Sequence, residues 1–436
     1  MITVLCKMAS SFRSICYLYI FLLLLTSCSD FFSPVKSTDA PSEYQFNYWL
    51  LQRTYLYEDE LGNLPEEGDS VQVLYDALSD PYTRYTPPSK SEDVEISINT
   101  SIVPGDVGLE YMNYFVEGAD DVSPILITRV YPNGPAAKAG VPRYGRILSV
   151  NGVKLFGNDA MARYDSVLTY NTEISLEISY DGKTKIYSMT KEDVYAPTIF
   201  LDTIQGITFI TITEFKLNTA DETNGTLGEL RSYLDSTQNE KGTRVLDLRN
   251  NPGGHISQCV GAADMFISKG TLSTRYYYMF DPDGERSRQT ISMEAQSGDP
   301  GEQGDFVILD NFASASCAEI FIAAMKELRH TPIIGDTTYG KGIGQSSWKT
   351  IENGLAIITN LEILTPLGNS YHKKGILPDY PCSEFPSRQC ALDYLGGSTS
   401  LAKRTAPSPY GDIESRGAIF SRKTKSLGGA LDNQLH

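Results

Sequence analysis

Residues 306–345 constrain the fold of this chain more than any other stretch, because two short apolar runs flank an amphipathic segment there. Val307, Ile308 and Leu309 form a run that is typical of a buried strand in a parallel sheet. After a turn of small and polar residues, apolar side chains recur with helical spacing, and cations follow near the end of the predicted helix, where they complement its dipole. A second apolar run, residues 332–334, precedes a glycine-rich loop. The stretch therefore predicts a strand, a helix and a second strand.

Two polar residues in this stretch have the chemistry of a nucleophile and its base. Ser316 lies at the predicted start of the helix, and Lys341 lies in the loop after the second strand. The backbone N–H of Cys317 belongs to the first helical turn and is a natural oxyanion donor. Lys341 can act as the base only if burial lowers its pKa far below the ordinary value of about 10.4. Gln345 is placed to hold the amine without adding a charge.

Other interpretations of the same residues remain open. A serine before a helix is commonly a cap rather than a nucleophile, and Ser314 is a second candidate in the same turn. Residues 335–341 match most of a phosphate-binding loop, although Gly342 stands where that loop requires Ser or Thr. His255 is the rival base, because it directly follows two glycines. No spacing of histidine, cysteine and carboxylate residues resembles a metal site, and no cofactor is predicted.

These residues resemble the carboxy-terminal processing proteases, peptidase family S41. That family has a Ser-Ala-Ser-Ala-x-x-Glu type of turn followed by a lysine in a Gly-Lys-Gly loop, and Ser316 and Lys341 have the family's spacing. The resemblance implies that Ser316 is the nucleophile, Lys341 the general base and Gln345 the residue that orients the lysine. Residues 247–254, DLRNNPGG, match a second family motif. This match implies that Gly253 or Gly254, with Gly253 favoured, supplies an oxyanion donor beside Cys317.

Residues 99–192 have the pattern of a compact β-rich module around one short helix at residues 135–139. The segments NGPAAKAG and ILSVNG resemble a PDZ domain, a fold that adds a peptide as a strand and holds its terminal carboxylate with backbone N–H groups. Val107, Gly108 and Leu109 stand where that carboxylate loop would lie. Residues 144–145 depart from the family, which often has Gly-Asp there. A module that serves only as a spacer or gate is the alternative.

The N-terminus reads as a targeting segment. Lys7 and Arg13 precede an apolar run, residues 15–25, that is short for a membrane span. The run ends in LTSC, which resembles a bacterial lipoprotein cleavage site with Cys28 as the lipidated residue. The alternatives are an ordinary signal peptide and a start at Met8. The predicted location is the bacterial cell envelope, anchored by lipid on the periplasmic or outer-membrane side.

The charge balance limits the possible partners. The chain has 54 acidic and 37 basic residues, a net charge of −17, which argues against nucleic acid and against binding anionic headgroups through a basic patch. The cysteines are too few for a disulfide framework, and the spacing of Cys382 and Cys390 does not decide whether they pair. Protein or peptide substrates are the expected partners, and the oligomeric state is not predicted.

The patterns and the resemblance together predict an α+β chain of several domains. A small N-terminal helical region, in which residues 80–88 form a structural aromatic turn, precedes the PDZ-like β module and a ββα-spiral protease core related to ClpP and crotonase folds. The implied function is a serine endopeptidase that selects substrates by their C-termini. The rivals are a non-catalytic ligand-binding lipoprotein and a hydrolase of another acyl compound.

The predicted boundaries are 1–27 for a lipoprotein signal peptide, 28–41 for a tether, 42–98 for the helical region, 99–192 for the PDZ-like module, 193–395 for the protease core and 396–436 for a disordered tail.

Overall fold

The computed structural model describes residues 41–114, 123–221, 223–280, 286–382 and 387–396. The predicted signal peptide, Cys28, nearly all of the predicted tether and nearly all of the predicted tail lie outside these residues. Within the described ranges, no helix is both long and apolar enough to cross a membrane.

The N-terminal helical region packs on a sheet formed by later parts of the chain. Ser42 and Gln45 form a reciprocal capping box that starts the first helix. Leu50, Leu51 and Leu74 are buried in one cluster with Ala356 and Ile358 of a later strand. The elements are α1 (Glu43–Thr54), a 3₁₀ helix (Glu58–Asn63), α2 (Gln72–Asp76), β1 (Arg84–Thr86) and α3 (Pro88–Asn99).

The β-rich module contains a six-stranded sheet and a separate two-stranded ribbon. The ribbon pairs β2 (Ile102–Asp106) with β9 (Glu192–Tyr195). The sheet has the order β3-β4-β5-β7-β8, with β6 beside β5, so β3 is an edge strand. Its elements are β3 (Leu109–Asn113), β4 (Ile125–Val130), α4 (Pro135–Lys138), β5 (Arg146–Val150), β6 (Val153–Lys154), α5 (Ala160–Tyr170), β7 (Glu173–Tyr180) and β8 (Lys183–Thr190).

The expectation of one short helix in this module is wrong, because α5 is a second and longer one. Tyr164 of α5 is fully buried, and Met161, Val167 and Leu168 pack around the same core. Polar residues interrupt this apolar pattern, so the helical period is weak in the sequence and the module's core defines the helix.

A six-stranded, mostly parallel sheet forms the centre of the core region. Its order is β10-β11-β12-β15-β16-β19, in which only β10 and β11 are antiparallel neighbours. Alternate strand residues face two apolar layers, one with α6, α7 and α8 and one with α9, which explains the continuous apolar runs. The elements are β10 (Ile199–Ile204), β11 (Ile207–Ile212), α6 (Gly225–Ser236), β12 (Arg244–Asp247), α7 (Ile256–Asp264), β15 (Phe306–Leu309), α8 (Cys317–Arg329), β16 (Ile333–Gly335), β19 (Tyr380–Pro381) and α9 (Arg388–Gly396).

A second sheet of the core region joins the N-terminal region to the end of the glycine-rich loop. It contains β13 (Thr271–Phe280), β14 (Arg286–Glu294), β17 (Ile343–Lys349) and β18 (Leu355–Leu364). The long strand β18 pairs with β17, β13 and β1. Because β17 begins just after Lys341, this sheet brings residues from the N-terminal region close to the predicted base.

Arg388 ties α9 to the central sheet through buried charges. Its guanidinium lies 3.0 Å from Asp202 and 3.2 Å from Asp247, and it donates to Thr211 at 2.9 Å. Burial alone would raise the pKa of Asp247, but Arg249 and Arg388 outweigh it and lower that pKa to about 2. The Asp247 carboxylate therefore depends on these two guanidinium groups to remain charged inside the protein.

Replacing Arg388 with methionine should lower the free energy of unfolding by about 3–5 kcal/mol, because buried carboxylates lose a charge partner. Urea unfolding measures the change. The matched control is Arg231→Met, since Arg231 pairs with Asp299 at 2.7 Å but has a side chain that is 48% exposed. The control should change stability by about 1 kcal/mol or less. Equal losses in both variants would contradict the role assigned to Arg388.

Candidate active site

Ser316 lies in a strained turn between β15 and α8. It is the residue immediately before the helix, and its backbone has φ 55° and ψ −115°. A positive φ costs a residue with a side chain roughly 1–3 kcal/mol, and such strain is concentrated at functional sites. A strand, a tight turn and a helix are also the arrangement that exposes the nucleophile in other hydrolases. The local geometry therefore suits a reactive hydroxyl.

Ser314 has a structural position instead. Its side chain is fully buried, its Oγ donates to the carbonyl of Leu248 at 2.9 Å, and it accepts from the N–H of Asn311 at 3.1 Å. Both hydrogen bonds hold the turn against the end of β12. The hydroxyl has no approach to a substrate, so the rival nucleophile is disfavoured.

Glu319 connects the turn to the glycine-rich loop. Its Oε2 accepts the backbone N–H groups of Ser316 at 2.8 Å and Lys341 at 2.7 Å. Its Oε1 accepts the Thr338 hydroxyl and the Gly340 N–H, both at 2.6 Å. Burial raises the pKa of Glu319, while these four donors favour the charged form. One buried carboxylate thus brings the two predicted catalytic residues together.

The sequence analysis did not identify Glu319 as part of the site. Its signal was present, since Glu319 belongs to the serine turn that resembles the family motif. The carboxylate's partners in the glycine-rich loop are distant in sequence, however, and only the fold shows that it holds both segments.

Lys341 is partly buried beside the turn, and its amine has few charged neighbours. Nζ donates to Gln345 Oε1 at 3.0 Å and lies 4.1 Å from the centre of the Tyr82 ring. Burial, followed by the charge of Arg84, lowers the pKa of Lys341 to about 8, although Asp80 and Glu319 act in the opposite direction. About a tenth of the amine is therefore neutral at pH 7, and about half at pH 8. Among the described hydrogen bonds, none joins Nζ to Ser316 Oγ.

A chain of hydrogen bonds links Gln345 to the N-terminal region. Gln345 Nε2 donates to Thr359 Oγ1 at 3.0 Å, and the N–H of Thr359 donates to Thr83 Oγ1 at 2.9 Å. Thr83 in turn donates to Asp80 at 2.6 Å. The aromatic turn that was predicted to be structural therefore also covers the lysine through Tyr82, a site contact that the sequence analysis missed.

The two glycines after β12 lie against Ser316 and Cys317. A Cβ placed on Gly253 would stand 2.8 Å from the nitrogen of Cys317 and 2.9 Å from Cβ of Ser316, so only glycine allows this approach. The N–H of Gly253 is already used, because it donates to Asn251 Oδ1 at 2.8 Å. In the described parts of the chain, no hydrogen bond is made by the N–H of Gly254 or Cys317. Gly254 is thus the better second donor, contrary to the preference for Gly253.

Replacing Gly253 with alanine should lower kcat by about 10²–10³-fold, the effect of losing one oxyanion donor, because the new Cβ displaces Ser316 and Cys317. Steady-state hydrolysis of a peptide substrate measures it. Gly206→Ala is the control: its φ of 81° brings the same backbone strain, but no atom lies within 4 Å of the added Cβ. Similar losses of activity in both variants would show that strain, rather than the contact with the turn, is responsible.

A disulfide between Cys259 and Cys317 lies next to the serine, where the sequence analysis expected none. It joins the first residue of α8 to α7, the helix that begins just after the two glycines, and both cysteines are fully buried. Cys382 and Cys390, whose pairing was left open, form a second disulfide. The first bond fixes the two backbone segments that carry the candidate oxyanion donors.

His255 lies beside the serine turn, with its carbonyl 3.2 Å from Cys317 Sγ, whereas the predicted peptide-binding residues lie in another module. His255 precedes α7, and its Nδ1 is 2.9 Å from Ser257 Oγ, with a pKa lowered by burial. No hydrogen bond in the described residues connects it to Ser316. Val107, Gly108 and Leu109 form the connection between β2 and β3 in the separate β-rich module, with Gly108 at φ 77°.

Residues 206–382 match the model of peptidase family S41. The chain is 29% identical over 351 residues to the carboxy-terminal processing protease CtpA of Bacillus subtilis, covering 77% of this chain and 69% of that protein. Over the matched residues, the chain resembles peptidase family S41. A Staphylococcus saprophyticus protein named "Probable CtpA-like serine protease" is 28% identical over 329 residues, with 75% of this chain and 61% of that protein covered. The chain thus spans about three-fifths of the length of this relative.

Solved structures agree with the fold of the chain. A protein of Bacteroides fragilis NCTC 9343 assigned to the S41 proteases has a TM-score of 0.51 at 16% identity and covers 84% of this chain and 100% of its own. The photosystem II D1 C-terminal processing protease has a TM-score of 0.48 at 22% identity, covering 82% and 98%. The sequence matches confirm the predicted family resemblance, and the Bacteroides fragilis structure supports the predicted mixed α+β fold.

Proposed function

We propose that this chain is a serine endopeptidase with Ser316 as nucleophile and Lys341 as general base. One observation carries the proposal: Glu319 holds the backbone of both residues, and the buried amine of Lys341 has a pKa of about 8. A lysine that is partly neutral near pH 7 can take a proton from a serine hydroxyl. Gln345 orients that amine through its Oε1 without charging it.

The reaction follows from these positions. Neutral Lys341 takes the proton of Ser316 Oγ as the oxygen bonds to the carbonyl carbon of the substrate peptide. The N–H of Cys317, with that of a glycine in the 253–254 pair, donates to the oxyanion. Lys341 then gives its proton to the leaving amine as the C–N bond breaks. Water, deprotonated by Lys341, hydrolyses the acyl-enzyme and regenerates the hydroxyl.

We further propose that residues 99–192 act as a PDZ-like module and that the core is a ββα spiral related to ClpP and crotonase folds. The free edge of β3 supports strand addition, and Val107, Gly108 and Leu109 supply backbone N–H groups at the start of that edge. In this proposal, a substrate's C-terminal residues pair with β3 while a preceding segment reaches Ser316. A non-catalytic peptide-binding protein on the same scaffold is the alternative.

The location is proposed from the N-terminal sequence. The LTSC segment at the end of a short apolar run and the net charge of −17 support attachment to the bacterial envelope through lipid on Cys28. Mass spectrometry of the mature N-terminus tests this proposal. A peptide beginning at an unmodified residue other than Cys28 would contradict it.

Cleavage of an unstructured protein with an apolar C-terminus tests the endopeptidase proposal. A shortened chain of residues 29–436, which lacks Cys28, should cut it, and the same chain with Ser316→Ala should not. Ser314→Ala, checked for folding because its hydroxyl is buried, should retain activity. Cleavage by Ser316→Ala would reject the nucleophile. A wild-type chain that binds the substrate without cutting it would favour the scaffold alternative.

A further inference from the structure

The loop between β2 and β3 already holds a carboxylate of the chain itself. The N–H of Gly108 donates to Asp106 Oδ1 at 2.6 Å. Burial raises the pKa of Asp106, while the neighbouring N–H groups of Val107 and Leu109 favour its charged form. Successive N–H groups that converge on one point form a nest for anions. The central one of the three donors proposed for a substrate's terminal carboxylate is thus engaged by Asp106, whose charge lies beside the other two.

The nest is held rigidly by its neighbours. The carbonyl of Val107 accepts the N–H of Ala136, and the carbonyl of Gly108 accepts the N–H of Tyr131, both at 2.9 Å. A Cβ on Gly108 would stand 3.1 Å from Cα of Gly134, so the loop is closely packed on the segment before α4. The loop therefore packs closely on the segment before α4, and the Asp106 side chain accepts the N–H of Gly108.

The edge strand beyond the nest is also tied down. Tyr111 of β3 donates to Asp165 of α5 at 3.0 Å, and its ring lies edge-on to Tyr164 at 4.8 Å between centroids. These contacts join β3 to the neighbouring helix. The nest and the edge strand that follows it therefore both make contacts within the chain that an incoming peptide would meet.

We propose that Asp106 is a specificity-determining residue that occupies the site of the substrate's C-terminal carboxylate, a proposal that rests on the proposed function of the PDZ-like module. A C-terminal peptide binds only by displacing the Asp106 side chain, because two carboxylates cannot share three N–H donors without repulsion. The module therefore has a weak preference for a free terminal carboxylate over an amide. Peptides that bind well do so through apolar side chains and pairing with β3.

Peptide binding to the full mature chain with Ser316→Ala tests this role without cleavage. The probes are a labelled peptide with an apolar C-terminal residue and a free carboxylate, and the same peptide amidated, with Kd measured by fluorescence anisotropy. Adding Asp106→Ala should lower the Kd of the free-acid peptide by about tenfold or more, because the competing carboxylate is lost. The Kd of the amidated peptide should remain nearly unchanged. Asp106→Asn should shift in the same direction by less, because its oxygen still accepts a hydrogen bond.

Asp193→Ala is the matched control. Asp193 of β9 accepts the N–H of Gly105 at 2.8 Å. Gly105 precedes Asp106 in β2 and lies outside the nest, so the removal of the Asp193 carboxylate should leave both Kd values unchanged. Circular dichroism checks that each variant is folded, and Asp106→Asn preserves the turn if alanine does not.

Two results would overturn the role of Asp106. One is an unchanged or weakened affinity of the folded Asp106 variants for the free acid. The other is a wild-type module that already prefers the free acid over the amide by tenfold or more. Absence of binding in every folded variant would also reject it. Because binding is measured without the Ser316 hydroxyl, a failure of cleavage in the active chain rejects the peptidase proposal separately.

Discussion

Lys341→Met is expected to lower kcat for peptide cleavage by about 10⁴-fold, the upper range for a general base, with little change in KM. Methionine keeps the apolar stem in its buried position beside Tyr82 but cannot take the serine proton. Single-turnover cleavage measures the effect. Lys349→Met is the control. Lys349 lies in β17, the strand that follows Lys341, and forms an exposed ion pair with Glu95 of α3. A variant at Lys341 with near wild-type kcat would place the base elsewhere, with His255 next to test.

The pH dependence of the wild-type chain gives the second readout of Lys341. Activity should rise about tenfold per pH unit below the pKa of about 8 and level off above it, because only the neutral amine acts as a base. Stability should also change with pH. The pKa of Lys341 in the folded chain lies below its ordinary value of 10.5. Between about pH 8 and 10.5 the unfolded chain therefore binds more protons than the folded chain, so the free energy of unfolding increases with pH in this range. Lys341→Met should remove both dependences.

Glu319→Ala is expected to lower the free energy of unfolding by roughly 4 kcal/mol or more, because four buried donors lose their acceptor at about 1 kcal/mol or more each. Peptide cleavage should be lost as well, since the segments carrying Ser316 and Lys341 separate. Urea unfolding and cleavage assays measure the two effects. Glu327→Ala is the control on the same helix, where the carboxylate accepts one exposed N–H, that of Leu367.

Glu319→Gln separates positioning from overall stability. The glutamine side chain keeps the volume of Glu319, but its NH₂ group faces hydrogen-bond donors and cannot accept from them. We therefore expect kcat to fall by about 10²–10³-fold while KM changes little. The negative charge of Glu319 raises the pKa of Lys341, and its loss should therefore move the pH profile to lower pH. A profile that stays in place in a folded variant would contradict the coupling between this carboxylate and the amine.

The candidate nucleophile, base and orienting amide could be recognised from the sequence because each lies in a local motif. Ser316 precedes an amphipathic helix, Lys341 lies between two glycines, and Gln345 follows it within one strand. Their roles remain predictions that the proposed variants test. The apolar runs also predicted the central strands, because a parallel sheet covered on both faces needs continuous apolar residues.

The parts that the sequence analysis missed depend on contacts between distant segments. Tyr82 reaches Lys341 only because β1 pairs with β18, and the Cys259–Cys317 bond depends on the packing of α7 against α8. Neither pairing has a local pattern, because disulfide partners and ring contacts are selected by proximity in the folded chain. The helix α5 was missed for a related reason, since its weak apolar pattern is completed by the core of the module.

The sequence by itself determined the family, the mixed α+β organisation and the identity of the candidate Ser316–Lys341 pair, because short motifs and apolar periods are local properties. Only the tertiary structure decided which groups surround that pair. Glu319 joins two loops, burial and Arg84 lower the pKa of Lys341, and Asp106 fills the nest at Gly108. Burial and electrostatic interaction depend on distances between atoms, and those distances are set when the chain folds.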